Sequence, residues 1–115
     1  MTHPRPVADW LATRTPAPPR HLRERVDALC ASRDARRAAS DDATIAEQLL
    51  DVAEDAMRGL LPDGCLTRRS ALELLAVDAI VTYAFEASAD QPERLEELAG
   101  VALARIAALT EPYDA

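Results

Sequence analysis

The chain has 115 residues, 49% of them apolar, and 13 basic side chains against 20 acidic ones, a net charge of −7. That length is one domain, and the apolar share suits a folded globule rather than a disordered polymer. The overall acidity argues against a general nucleic-acid binder, whose phosphate contacts need a basic face.

All 13 basic residues are Arg; alanine occurs 24 times, leucine 15 times and glycine only three times. Ala, Leu, Arg and Glu are the strongest helix formers, so the composition predicts an all-α chain. The charge is divided along it. Residues 1–40 hold eight Arg against four acids, and residues 41–115 hold five Arg against sixteen. A basic front and an acidic body attract each other, within one chain or between two. No run of apolar residues approaches the ~20 needed to span a bilayer, so no membrane role is expected. Met1 to Pro6 is polar and no secretory apolar core follows it. Cys30 and Cys65 form no CxxC pair and read as reduced thiols of a cytoplasmic protein. Only His3 and His21 are present, so no standard zinc pattern can be assembled, and no cofactor is expected.

Residues 1–19 carry five of the eight prolines, which predicts an extended, Arg-containing arm ahead of a bundle at 20–115. Within the arm, Val7, Trp10 and Leu11 share one side if a single helical turn forms. Trp10 is the sole tryptophan. An aromatic anchor among Arg and Pro suits docking, on the chain's own bundle, a second subunit or another protein.

A first helix is expected from about Arg20 to Ala39, with Leu22, Val26, Leu29 and Cys30 as its apolar stripe. The stripe fades into Arg33, Asp34, Arg36 and Arg37, which predicts a solvated far end. A second helix starts near Asp41 or Asp42 and continues through Ile45, Leu49, Val52, Ala53, Ala56, Met57 and Leu60. Pro62, Asp63 and Gly64 stop it. Glu47, Asp51 and Asp55 form one row on it, and such a row suits a solvated face, or one meeting a basic partner, better than a metal site. A third helix, from about Thr67 to Ala87, has Thr67 as its cap and Leu66 as a hydrophobic staple. It is apolar nearly all round and so is expected at the centre. A fourth opens at Asp90, Gln91, Pro92 and Glu93, turns Leu95, Leu98, Ala99, Ala102, Ile106 and Leu109 inward, and closes at Pro112. Short connections make sequential helices antiparallel.

Three places have chemistry in them. Thr67, Arg68, Arg69 and Ser70 open a helix whose N–H groups and dipole favour an anion, which gives the alternative reading of a small regulatory domain with an anionic ligand. Cys65 sits in the same turn, where positive charge makes a thiol more reactive. Asp78, Thr82 and Glu86 form one polar line through the apolar third helix, with Tyr83 adjacent, as the outer edge of the bundle or as a partner face. None of these assembles a catalytic constellation, and a would-be helix-turn-helix at Leu66–Leu75 is too apolar for a DNA groove. Surplus apolar surface on the third helix instead predicts a non-enzymatic protein–protein interaction module, with a homodimer as the expected form.

Overall fold

The computed structural model describes residues 6–35, 43–61, 67–89 and 91–110. Those residues form five helices and no strand: α1 Pro6–Leu11, α2 Arg20–Ala35, α3 Ile45–Leu60, α4 Arg68–Ala87 and α5 Pro92–Thr110. The chain is a small all-α bundle. The expected continuation of α2 to Ala39, the stop at Pro62–Gly64, Cys65, Leu66, Asp90 and Pro112 lie outside the described residues. The start expected near Asp41 or Asp42 is corrected, because Thr44 is the cap and Ile45 the first residue of the helix.

α3 is held at its start by Thr44, whose side-chain oxygen accepts the Glu47 N–H at 3.1 Å. The helix buries Ala46, Leu49, Leu50, Val52 and Ala53, a helical spacing that puts one apolar stripe inward. α3 touches each of the other four helices. It is therefore the hub of the bundle. The sequence points to α4 for that place because α4 is apolar on most sides. α4 buries only Ala76, Val77, Ile80 and Ala84; Ala79, Val81, Tyr83 and Phe85 are half-buried against the core, and Leu74 and Leu75 are turned outward.

Hollows between the helices fix their directions. Gly59 and Leu60, at the end of α3, share one with Thr67 and Ser70 at the start of α4, so α3 and α4 run antiparallel. Thr44 and Glu47 share another with Arg94 and Leu98, and Met57 and Leu61 a third with Ile106 and Leu109. α5 therefore lies alongside α3 and runs the same way. α4 and α5 both rest on α3 and have little contact with each other. The core between α2, α3 and α4 is centred on Val26, Cys30, Leu49, Val52, Ala76 and Ile80, all nearly or completely buried. Among the described residues no helix is long and apolar enough to cross a membrane.

Candidate protein-contact surface

The N-terminal segment is not extended throughout. Pro6–Leu11 is helical, with Pro6 at a first position where its missing N–H costs nothing. Val7 is fully buried, and α1 packs on α2 and α3. The Trp10 and Tyr83 rings meet at a centroid distance of 6.1 Å and an interplanar angle of 80°, the T-shaped arrangement aromatic quadrupoles favour. Arg14 stacks its guanidinium 4.4 Å over the Trp10 ring, a cation–π contact. Leu11 is half-buried beside them.

Asp34 determines where α1 sits. Its carboxylate accepts the Val7 N–H at 3.3 Å and the Ala8 N–H at 3.1 Å. These are first-turn N–H groups that have no partner inside a helix, so a side chain near the end of α2 caps the helix that precedes it in the sequence. Asp34 is 1% exposed. The solvated end expected for α2 is thus corrected: Val26, Cys30 and Asp34 continue one buried stripe at intervals of four, and Arg33 reaches Asp51 of α3 at 3.3 Å. Hydropathy alone hid this, because a carboxylate that is buried to cap a distant helix reads as a surface residue.

The acidic row of α3 is met by arginines from inside the chain. Asp51 accepts from Arg33 of α2 and, at 2.7 Å, from Arg105 of α5. Glu54 is approached by Arg58 at 3.2 Å and Arg105 at 3.8 Å. Glu47 belongs to the Thr44 cap. Among the described residues no group of acids, His and Cys is arranged to hold a metal ion.

At the start of α4, Thr67 and Ser70 satisfy each other. The Thr67 N–H donates to the Ser70 hydroxyl oxygen at 2.8 Å, and the Ser70 N–H to the Thr67 hydroxyl oxygen at 3.1 Å. The two hydroxyls named as anion ligands are therefore engaged in a capping box. Arg68 and Arg69 are exposed. Arg69, Thr67 and Ser70 line a cleft of about 800 Å³ with Arg25, Asp55 and Glu73. Arg25 is held there by Glu73, whose second oxygen accepts from it at 2.8 Å, so acids of the chain answer the cleft's positive charge. Cys65 lies outside the described residues.

The polar line Asp78, Thr82 and Glu86 is exposed, and the adjacent Tyr83 does not share its side. Asp78 and Thr82 are exposed, and the Thr82 hydroxyl donates to the Asp78 carbonyl of its own helix at 3.0 Å. Tyr83 turns the other way, half-buried against Trp10, and burial first, then Glu86 and Asp27, pushes its hydroxyl pKa up. The structure thus brings Val7, Trp10, Leu11 and Tyr83 together and leaves Asp78 and Thr82 apart from them.

Beside Asp78 lies exposed apolar surface, expected on α4 but not on α5. Ile106, expected to face inward, is 51% exposed, and Leu103 is 70% exposed. Leu61, Leu74 and Leu75 are also exposed. Between α4 and α5 runs a groove of about 150 Å³, with Leu50, Ala53 and Met57 of α3 as its floor. Val77 and Val81 form one wall, and Ala102 and Ile106 the other. The signal in the sequence was the width of the α5 stripe: Ala99, Leu103 and Ile106 extend it well past the arc that one neighbour can cover. No family model matches the chain, and no curated protein or solved structure is detectably similar to it.

Proposed function

We propose that this chain is a non-enzymatic, cytoplasmic helical interaction module that presents the α4–α5 face to another protein chain. One observation carries the reading. Two helices that rest on the same third helix leave an apolar groove between them, lined in part by Leu61 and Ile106 at 46% and 51% exposure, with Leu103, one turn before Ile106 on α5, 70% exposed outside the lining. Contiguous exposed apolar surface on a small protein is used for contact, because water penalises it otherwise. The buried, unpaired Cys30 supports a reducing compartment. The N-terminal arm serves the same module by packing on α2 and α3 through Val7 and on Tyr83 of α4 through Trp10, away from the residues that line the α4–α5 groove.

A dimer of two such faces and a complex with a different protein are the two forms this reading takes. Sedimentation of the wild-type chain and of Leu103→Glu across a wide concentration range tests it, together with capture by any purified candidate partner. The reading predicts an association, with self or partner, that Leu103→Glu abolishes while the helical circular dichroism is unchanged. An association indifferent to Leu103→Glu, Ile106→Glu and Leu74→Glu refutes it.

A further inference from the structure

The groove also restricts what can fill it, and this inference rests on the interaction reading above. At about 150 Å³ it is smaller than the roughly 300–1,000 Å³ of small-molecule sites. Its lining is aliphatic almost throughout, with Glu54 and Arg105 as the charged members. It therefore has room for the aliphatic knobs of a helix, not for an enclosed ligand. Its floor on α3 spans Leu50 to Leu61, about 16 Å or three helical turns at 1.5 Å per residue. Helix-in-groove binding uses anchors at i, i+3 or i+4, and i+7, which occupy that length.

The charges beside the groove select the sign of the occupant. On α4, Asp78 follows Leu74 by one helical turn and adjoins Val77. On α5, Glu96 lies outside the groove's lining, two turns before the exposed Leu103 and on that residue's side of the helix. Both acids are exposed, and neither has an ion-pair partner among the described residues. The base in the lining, Arg105, is already held by Asp51 and Glu54. A second copy would bring the same uncompensated acids, on a chain of net charge −7, against its own image. Electrostatic complementarity steers and selects partners at such a rim. We propose that the α4–α5 groove receives an amphipathic helix with basic flanks, supplied by a different protein.

Two synthetic peptides of about four helical turns test this on the full chain. They share leucines at i, i+3, i+7 and i+10 and differ only in carrying Lys or Glu at the flanking positions. Binding is read by anisotropy of a dye on each peptide. The Lys peptide is expected to bind at least tenfold more tightly than the Glu peptide, and to weaken as salt is raised. Ile106→Glu and Leu103→Glu are each expected to reduce its binding severalfold or more, and the pair Asp78→Asn with Glu96→Gln to reduce it severalfold with unchanged helicity. Equal binding of both peptides, binding unaffected by Leu103→Glu and Ile106→Glu, or no binding of the Lys peptide overturns the proposal. If no peptide binds and the chain sediments as a dimer that Leu103→Glu dissociates, the groove's occupant is a second copy, and the interaction reading stands without this inference. If no peptide binds and no association of any kind responds to the surface variants, both fall.

Discussion

At the scale of single residues, Asp34 and Cys30 show how a buried group is held in place by its neighbours. Asp34 gives both carboxylate oxygens to the first turn of α1. Asp34→Ala removes the cap and leaves two N–H groups without it, at a cost of about 1–2 kcal/mol by analogy with other helix caps. The α1 contact is local, so the effect should appear first as a red shift of Trp10 emission and as faster proteolysis near Thr13, before global unfolding. Unchanged emission would mean that Asp34 does not hold the arm. Cys30 is one turn away. Burial chiefly, and then the charges of Asp34 and Asp27, push its thiol pKa up to about 12. A thiolate is the reactive form, so in a Cys65→Ser variant Cys30 should resist a disulfide reagent at pH 8 until the chain unfolds. The sign for stability follows by linkage. The thiol stays protonated in the native state where the unfolded chain already ionises, so its contribution is intact below the ordinary value of 9.0 and is lost as pH rises from there towards about 12. Chemical denaturation of Cys65→Ser beside a variant that also carries Cys30→Ala should show the first losing stability more steeply over that window.

At the scale of elements, the bundle is fastened by charges that link helices distant in sequence. Asp51 of α3 holds Arg33 of α2 and Arg105 of α5 together. Asp51→Ala therefore loosens two interhelical contacts, and its expected cost is about 1–2 kcal/mol for charge-assisted, partly screened pairs. Arg58→Ala, which loses an exposed pair with Glu54 inside one helix, should cost about 0.3–0.5 kcal/mol. Urea unfolding at low and high salt separates the two, because only the first should show a sizeable salt-dependent difference from wild type. These contacts also mark how far the sequence could be read. The four long helices were legible, since Leu49–Val52–Ala53–Ala56 and Leu72–Ala76–Ile80–Ala84 repeat at helical spacing, and Thr67 marks the start of α4 by its chemistry. The helical turn at Val7, Trp10 and Leu11 was legible for the same reason. The role of Asp34, the clamp at Asp51 and the exposure of Ile106 were not. Each depends on which helix lies against which, and the stripe of one helix records how much of it is apolar without recording how many neighbours share it. The inward turn of Tyr83, away from the exposed line of Asp78, Thr82 and Glu86, has the same origin, because its ring meets Trp10, a residue of α1.

At the scale of the whole molecule, the division is between apolar residues that hold the fold and apolar residues that the fold does not use. Leu49 and Ile80 are completely buried, whereas Leu103 is 70% and Leu75 56% exposed. Truncating a buried leucine removes its transfer free energy and leaves a cavity, so Leu49→Ala should cost about 2–5 kcal/mol. Leu103→Ala takes little surface out of contact and should lie within about 0.5 kcal/mol of wild type, if it is measured on the isolated chain. That condition makes the comparison a test of association as well as of packing. An interface binds the native state and not the unfolded one, so it adds stability that grows with the concentration of the partner. Denaturation of wild type, Leu49→Ala and Leu103→Ala at low and at high micromolar chain concentration therefore has a defined outcome under each arrangement. For a chain whose α4–α5 face awaits a different protein, Leu103→Ala is neutral at both concentrations, and Leu49→Ala carries the same penalty at both. For a face already closed by a second copy, wild type gains stability on concentration, and Leu103→Ala loses most of that gain although Leu103 is 70% exposed in the single chain. A Leu103→Ala penalty above about 1 kcal/mol at every concentration would instead place the residue in the core and remove the surface on which the interaction reading stands.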